Sequence, residues 1–392
     1  DAWQRLVAAP AGATAEGPPV PVELRGLDLR LGHGRYLGRE FTNMHAQLAR
    51  SAEGWSGRLD SPLIAGDVQW SPRDHGRLVA RLARLAIPES TPGATQAPAP
   101  NPAAQPDLPA IDLTAERFDF RGRTLGRLDL KAEPAGDEWH IDRLDIASDH
   151  AQLASHGGYR RAAGSPITTL TVSLEARSLS RLLGQFGYGD YVKRGVGSLE
   201  GTLAWPGLPH EFAVANLAGS FKVKAEKGQF ARIEPGAGKL LGLLSLQSLP
   251  RRASFDFRDV FSEGFAFDRI QADVKLAHGV LLTDDFEISG PSAFVSLAGE
   301  VSLPDETQSL TMRVVPEVSE GMALAATVFG TPVLGLSTLL VTKLLRNPIG
   351  NAVAFEYQVT GSWDNPHVQR TSAPPLRATP AGSEGAAKAS VP

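Results

Sequence analysis

The chain contains 392 residues, of which 42% are hydrophobic and 21% charged, and its formal net charge is −4. This charge balance does not support nucleic-acid binding, which usually requires a strongly basic surface. The chain has no cysteine, which excludes disulfides, zinc–thiolate sites and cysteine nucleophiles.

Stretches rich in proline, alanine and glycine divide the chain. We expect residues 1–21, 88–110 and 371–392 to be disordered or linking, because such compositions bury too little apolar area to offset the entropy of ordering. Between them we predict a β-repeat with a short helix over 22–87, a second over 111–194, and a C-terminal region over 195–370. The chain begins without Met or a recognisable signal peptide, so we expect it to be part of a longer protein.

The dominant pattern within these units is strict alternation of apolar and polar residues. Residues 27–31 alternate leucine with aspartate or arginine, and similar alternation occurs at 170–177, 221–226 and 355–360. A period of two is typical of strands with one dry and one wet face. Turn signals such as Gly157-Gly158 separate the runs, so we predict a mainly β fold built from antiparallel meanders.

A weak internal repeat supports a duplicated unit. Gly-Arg followed by tryptophan after a fixed interval occurs twice, and a second aromatic residue follows each copy. The two copies, offset by 84 residues, contain Arg39, Trp55 and Trp70 in one case and Arg123, Trp139 and Tyr159 in the other. Such an offset predicts multi-strand units that stack into an elongated sheet.

Helical spacing of apolar residues occurs in a few short stretches. Residues 73–86 place Leu78, Leu82 and Leu85 on one helical face, and residues 178–188 suggest a short helix that ends near glycine. Residues 237–249 carry leucine over much of the helical circumference. We therefore predict a few short helices beside the strands.

Residues 321–342 form an uncharged apolar run that Gly330-Thr331-Pro332 interrupts. We predict two short helices, about 322–329 and 332–346, as an apolar helical hairpin near the C-terminus. The hairpin either packs against the β core or forms a hydrophobic tip that touches a membrane, whereas its threonines and central break argue against a transmembrane anchor. The candidate membrane-contact or groove-end residues are Leu240, Leu241, Leu244, Leu324, Val328, Phe329, Val333, Leu336, Leu339, Leu340 and Leu344.

The polar residues do not assemble into a recognisable catalytic motif. His150 and His156 match no standard metal-ligand spacing. The adjacent pair Asp284-Asp285 is more typical of a turn between strands than of a catalytic dyad, which needs convergent carboxylates. We therefore expect neither an enzyme nor a metal or cofactor site.

The dry faces of the predicted strands suggest a site for hydrocarbon. An extended sheet with few helices leaves a dry face uncovered, and a curved uncovered face forms a groove suited to acyl chains, since each buried CH₂ contributes about 0.8 kcal/mol. The candidate groove residues are Leu170, Val172, Leu174, Phe221, Val223, Phe255, Phe257, Phe265 and Phe267.

Several long stretches resemble, in the same order, the C-terminal region of YhdP-like proteins of the AsmA superfamily. They include GSLEGTLAWPGLP at 197–209, GQFARIEPGAGKLLGLLSLQSLPRR at 228–252, and the segments 256–268, 283–301 and 357–368. Proteins of this family are bacterial envelope proteins thought to conduct phospholipids between membranes. The resemblance implies an elongated, curved antiparallel sheet of repeating β-groove type, with an apolar interior that bridges the inner and outer membranes.

The same resemblance implies a periplasmic location in a protein whose inner-membrane anchor is absent from this chain, with the apolar segments at the outer-membrane end. The expected partners are phospholipid acyl chains, a membrane at the C-terminal end and an envelope protein, but not nucleic acid. Two functions stay open. One is a non-enzymatic lipid-transfer module, and the other is an envelope scaffold that docks on an outer-membrane partner without carrying lipid.

Overall fold

The alternating sequence folds into one curved sheet of 18 strands. The structure is a computed structural model that describes residues 25–36, 39–88, 108–160, 166–209, 211–231, 264–316 and 354–371. In β1, Leu27, Leu29 and Leu31 are half-buried while Asp28 and Arg30 are exposed, as a strand with one dry face requires. The predicted mainly β fold is confirmed.

The strands follow one another in chain order. The first five are β1 Gly26–Tyr36, β2 Arg39–Ser51, β3 Gly54–Asp60, β4 Ile64–Ser71 and β5 Arg77–Ile87. The next five are β6 Ala110–Phe120, β7 Arg123–Ala135, β8 Glu138–Ala147, β9 Ala151–Arg160 and β10 Ile167–Ala176. The remaining strands are β11 Val192–Pro206, β12 Ala218–Phe230, β13 Phe265–Ala277, β14 Val280–Ser289, β15 Ala293–Ser302, β16 Thr307–Pro316, β17 Phe355–Ser362 and β18 Pro366–Thr371.

Helical structure is sparse in the described part of the chain. It consists of α1 (Leu179–Gln185) and a single 3₁₀ turn at Val214–Asn216. The hydroxyl of Ser178 accepts a hydrogen bond from the backbone N–H of Arg181 at 3.4 Å and caps the start of α1. The helix predicted over 178–188 is therefore present, in a slightly shorter form.

The helix predicted over 73–86 is wrong, because residues 77–87 form strand β5. Leucines at 78, 82 and 85 fit a helical face, but Ala80 and Leu82 are also spaced as on a strand, and both are buried. Hydrogen bonding to β4 on one side and β6 on the other fixes the extended form. Hydrogen bonding on both sides thus favours the strand, although the spacing of the apolar residues alone fits a helix equally well.

Each strand pairs antiparallel with its successor, except that β5 pairs parallel with β6. A parallel pair requires the chain to return along the length of the strand before it pairs again. Residues 88–109 separate β5 from β6 in the chain, in the stretch predicted as a Pro/Ala-rich linker. The sheet is therefore continuous across the linker.

The parallel junction separates two five-strand units that match the sequence repeat. The first three strands of the units begin at Gly26, Arg39 and Gly54 in one case and at Ala110, Arg123 and Glu138 in the other, an offset of 84 residues. The aromatic residues of the repeat pair in the same way, as Trp55 with Trp70 and Trp139 with Tyr159.

Two insertions leave the sheet from the same side. The chain departs for residues 232–263 between β12 and β13, and for 317–353 between β16 and β17. Because neighbouring strands alternate in direction, both departures and α1 lie at the same margin of the sheet, which we call the insertion rim. The opposite margin, which we call the hairpin rim, contains the turns at 277–280, 302–307 and 362–366. The predicted apolar segments 237–249 and 321–346, including the hairpin, lie outside the described residues.

Helix α1 contacts two strands of the sheet, β7 and β11. The Arg123 guanidinium, at the start of β7, donates to the Gln185 carbonyl at 2.6 Å, and the Gln185 amide donates to the Thr124 carbonyl at 2.9 Å. The Leu179 side chain packs against Gly195 and Gly197 of β11. Helix α1 therefore bridges β7 and β11 at the insertion rim.

Candidate functional site

A row of side chains without a polar group crosses the sheet near the middle of the strands. One residue in each strand from β1 to β13 pairs directly with a row member in the next strand, and directly paired residues point to the same face. This central row is Leu29, Ala46, Leu59, Gly66, Leu82, Ala115, Leu128, Ile146, Leu153, Leu174, Leu199, Val223 and Ala272.

The same face stays apolar through the last strands. Ile270 of β13 pairs with Ile288 of β14, and two parallel rows continue from there. They are Ile288, Val295, Val314 and Phe355, and beside them Phe286, Leu297, Met312 and Tyr357. We call this side of the sheet the apolar face and the other side the polar face. The apolar face thus extends over every strand of the sheet.

The predicted groove residues that the structure describes share the apolar face. Leu170, Phe265 and Phe267 are buried, and Val172, Leu174, Phe221 and Val223 are half-buried. Their neighbours on the polar face, Thr171 and Lys222, are exposed. The register brings five of the predicted residues together across β10–β12. Leu174 and Val223 flank Leu199, and Val172 and Phe221 flank Gly201. Leu170 lies two residues before Val172 on the same face. Phe255 and Phe257 lie outside the described residues.

Two packed clusters border the central part of this face in the C-terminal half. At the insertion rim, residues from β11 to β17 pack with Leu179 and Leu183 of α1, and Ile288 and Val359 are almost completely buried. At the hairpin rim, residues from β7 to β13 pack around Trp205. Leu174, Leu199 and Val223 belong to neither cluster and are only half-buried. Over β10–β12 the central row is therefore less tightly packed than at Leu82, Ala115 and Leu128, which form a buried cluster of their own.

Aromatic rings of the insertion-rim cluster lie over a glycine. The Phe230 and Phe267 ring centroids are 5.0 Å apart, and a Cβ atom at Gly228 would lie 2.2 Å from Cζ of Phe267. Real Cβ atoms do not approach a carbon this closely, so a glycine is needed there for the Phe267 ring to lie flat on β12. The glycine in the sequence thus serves packing rather than a turn.

At the hairpin rim, polar atoms next to the apolar face are paired with backbone groups. The Trp205 indole N–H donates to the Leu208 carbonyl at 3.0 Å, and the Thr168 hydroxyl donates to the Gly207 carbonyl at 2.8 Å. The Phe212 ring then meets Trp205 edge-on at 5.6 Å. Since buried polar atoms need partners, these bonds let the loop after β11 present hydrocarbon to the apolar face.

Two polar side chains on the apolar face were not anticipated from the sequence. Gln308 is buried and donates to the Ser362 carbonyl at 3.2 Å, while its Oε1 atom has no partner. Tyr357 is buried among apolar residues, and this burial raises the pKa of its hydroxyl, although the charge of Arg370 lowers it in part. The alternation of residues along a strand predicts on which face of the sheet Gln308 and Tyr357 lie, but it does not predict what surrounds their side chains.

The polar face carries the charged side chains and a concavity of about 1110 Å³ that spans β11–β17. Its charged lining includes Glu200, Lys222, Asp273 and Lys275. Most of its charged lining lies on the polar face, although Phe221, a predicted groove residue, also borders the concavity. Its lining carries charged side chains of both signs, which do not favour acyl chains, so we do not assign it to lipid.

The Asp284-Asp285 pair lies inside strand β14 and not in a turn as predicted. It forms a β-bulge, marked by the register shift between Thr283 and Phe286. The Asp285 carboxylate accepts hydrogen bonds from the Asp273 backbone N–H at 2.9 Å and the Thr283 hydroxyl at 3.2 Å. The extra residue of the bulge keeps Phe286 on the apolar face. The two hydrogen bonds that the Asp285 carboxylate accepts stabilise this bulge.

The Gly157-Gly158 turn signal is also wrong, because both residues lie inside β9. A Cβ atom at Gly157 would lie 2.1 Å from the Thr169 carbonyl oxygen of β10. The glycine allows close approach of neighbouring backbones. Within the described ranges, no group of three potential metal ligands comes together, and His150 and His156 belong to no such cluster.

The candidate membrane-contact residues, Leu240 to Leu244 and Leu324 to Leu344, lie outside the described residues. Over the segments that the structure describes, no helix combines the length and apolar character needed to cross a membrane.

These observations define a class of protein: an elongated, curved, single-sheet β protein with one continuous apolar face. The chain belongs to the YhdP protein family, whose model matches residues 1–368, and the resemblance noted in the sequence is confirmed. It is 29% identical over 260 residues to the "Intermembrane phospholipid transporter YhdP" of Escherichia coli (strain K12), a match covering 66% of this chain and 20% of that protein. The chain thus corresponds to about a fifth of that relative. No solved structure matches the chain.

Proposed function

We propose that this chain is a non-enzymatic lipid-transfer module whose apolar face holds phospholipid acyl chains and conducts them between the inner and outer membranes of a Gram-negative envelope. The central row carries this proposal, because it crosses thirteen successive strands without a polar side chain. The name of the E. coli relative supports phospholipid as the cargo. The groove is the curved apolar face, lined on its central strip by Leu174, Leu199 and Val223.

The length of the apolar face suits several lipids at once. Eighteen strands at about 4.8 Å spacing give a sheet about 80 Å long. One leaflet of a bilayer accounts for half of the ~30 Å hydrocarbon core, about 15 Å. A lipid would therefore cover only part of the face and would have to move along it.

Continuity of the apolar surface is what transfer along the sheet requires. A tail of about 16 methylenes costs about 13 kcal/mol if it is fully exposed to water, at ~0.8 kcal/mol per CH₂. A lipid that leaves a bilayer for an apolar groove keeps most of this burial, so neither extraction nor movement needs strong specific contacts. A polar interruption would re-expose methylenes and create a barrier.

We further propose a periplasmic location, within a protein held at the inner membrane, and contact with a membrane near the C-terminal end. The relative's name supports an envelope setting. The apolar segments 237–249 and 321–346 follow β12 and β16, whose C-terminal ends both lie at the insertion rim, which is compatible with a membrane contact there.

Native mass spectrometry with lipid extraction, on the chain purified from a bacterial envelope fraction, tests the proposal. We expect phospholipid to co-purify in a defined ratio and to be lost when a charge is placed on the central row. A folded, monodisperse and lipid-free protein that also binds no added phospholipid would contradict it.

One observation favours a second candidate, an envelope scaffold that docks on an outer-membrane partner without carrying lipid. Ile288 is 0% and Val359 1% exposed, so the insertion-rim part of the apolar face is closed by packing, as a scaffold would have it. The half-buried strip at Leu174, Leu199 and Val223 favours the lipid module. Lipid occupancy of the purified chain separates the two.

A further inference from the structure

Strand β1 forms an open edge of the sheet, because among the described strands it pairs only with β2. The Arg50 backbone N–H donates to the Arg25 carbonyl, and alternate residues of β1 from Arg25 onward therefore bond to β2. The N–H and C=O groups of the residues between them, Gly26, Asp28 and Arg30, point away from the sheet. An exposed row of such groups is a template for a further strand.

The opposite edge of the sheet, β18, is protected against such pairing. It has six residues and begins with Pro366, which lacks an N–H. Its Arg370 pairs directly with Tyr357 and so places a cation on the apolar face. Short length, proline and an inward-pointing charge are devices that blunt an edge. Strand β1 has eleven residues, no proline and leucines on the apolar face, so it has none of these devices.

Strand β6 shows which kind of strand binds at the equivalent edge. Both β1 and β6 begin a five-strand unit, and their pairing with the next strand has the same register at an offset of 84 residues. Leu27 pairs with Leu48 in the first unit. The corresponding pair in the second unit is Ile111 with Ala132. The edge of β6 that corresponds to the open edge of β1 is occupied by β5, in parallel register. A parallel strand therefore fits the open edge of β1.

The sequence at the start of β5 also occurs ahead of β1. Strand β5 begins with Arg-Leu-Val-Ala at 77–80, and the same sequence occurs at 5–8, outside the described residues. Residues 9–25 connect this sequence to β1 and can span about 50 Å, whereas a return along the length of residues 5–8 needs only about 13 Å. The chain ahead of β1 is therefore long enough for residues 5–8 to lie parallel to it.

We propose that the open edge of β1 binds residues 5–8 of this chain as a parallel strand, in the register that β5 adopts on β6. The pairs in this register are Arg5 with Gly26, Leu6 with Leu27, Val7 with Asp28 and Ala8 with Leu29. Leu6 and Ala8 then lie on the apolar face, and Ala8 adds a member to the central row beside Leu29. The outward-pointing groups of β1 gain partners, and the edge is closed to a second copy of the chain. This strand pairing does not depend on lipid binding.

Two neighbouring proline variants test this register, because the backbone N–H groups of adjacent strand residues point in opposite directions. In the β5–β6 pair the Ala110 N–H donates to β5, and Gly26 is its equivalent in β1. The same pattern makes the Leu6 N–H donate to β1 and the Asp28 N–H donate to the Leu6 carbonyl, while the Val7 N–H points away. Leu6→Pro therefore removes a hydrogen bond, whereas Val7→Pro introduces the same ring without removing one.

The measurement is hydrogen exchange of the Asp28 amide in the full chain, followed by mass spectrometry with fragmentation to single residues. In the unmodified chain we expect this amide to exchange about tenfold more slowly, or slower still, than in an unstructured peptide. Leu6→Pro should remove this protection, and Val7→Pro should retain it. The amides of β18, at the opposite edge of the sheet, serve as the internal control.

Unprotected exchange at Asp28 in the unmodified chain would overturn the proposal, and so would equal exchange in the two proline variants. A chain that lacks residues 1–9 should behave as Leu6→Pro does, because both lose the added strand, and protection retained there would also contradict the proposal. Protection that increases with protein concentration would assign the edge to a second copy of the chain and overturn the pairing with residues 5–8.

Discussion

A carboxylate on the central row should block lipid movement, and Val223 is the best position for it. Val223 lies between Leu199 and Ala272 in the row and is half-buried outside both packed clusters. The substitution Val223→Glu places an ionised side chain where an acyl chain would pass. An ion keeps its water of hydration in preference to burial, so the methylenes opposite it lose contact with the apolar face.

The magnitude follows from the strand spacing. About four methylenes of an extended chain occupy one inter-strand distance of ~4.8 Å, and their exposure costs about 3 kcal/mol at ~0.8 kcal/mol each. A barrier increase of this size slows passage about 100-fold. We expect Val223→Glu to reduce transfer of fluorescent phospholipid between donor and acceptor vesicles by about that factor, and to reduce co-purifying lipid.

The control must carry the same charge on the other face without a new repulsion. Lys222 is unsuitable for a glutamate, because it pairs with Glu200 and Asp273. Thr171 is exposed on the polar face opposite His156 and Thr202, so Thr171→Glu should retain transfer. Val223→Ala, which keeps the surface apolar, should also retain it. Equal loss in Val223→Glu and Thr171→Glu, in proteins with unchanged melting temperatures, would refute the groove.

The other predictions concern stability. Gly228→Ala should lower the free energy of unfolding, measured by urea titration, by about 1–3 kcal/mol, because the new Cβ atom would lie 2.2 Å from Cζ of Phe267. Gly32→Ala is the control and should have little effect, because no atom lies within 4 Å of its Cβ position. The Thr124 hydroxyl, and after it Arg117, lowers the pKa of Asp119, so this carboxylate stabilises the fold above its unfolded pKa of about 3.9. Thr124→Ala should therefore cost about 1 kcal/mol at pH 7, and the difference from the unmodified chain should disappear as the pH falls through the folded pKa of Asp119.

Where apolar and polar residues alternate strictly, the strand and its dry face could be predicted from the sequence. Leu170, Val172 and Leu174 alternate with polar residues, and the structure places all three on the apolar face. This works because the side-chain period of a strand is two, and a slip of one residue would turn every apolar residue to water. Local sequence therefore determines the face of each strand, while pairing partners are determined elsewhere.

The elements that sequence reasoning missed depend on contacts between strands. Residues 77–87 fit a helix until β4 and β6 pair with them, and Gly157 suggests a turn until the β10 backbone lies against it. The bulge at Asp285 likewise exists only because β13 supplies the backbone N–H that its carboxylate accepts. Each of these features is a property of a strand pair, so it has no signal in either strand alone.

The parallel junction explains how duplicated units can share one apolar face. Leu78, Ala80, Leu82 and Leu85 of β5 pair in turn with Ile111, Leu113, Ala115 and Phe118 of β6. Every pair is apolar, so the face passes from one unit to the next without a change of side. A slip of one residue at this junction would place Asp112 or Thr114 beside the leucines and interrupt the central row at Leu82. Since each interruption of a few methylenes costs several kcal/mol, selection for lipid passage would act on this register as strongly as on the residues of the groove itself.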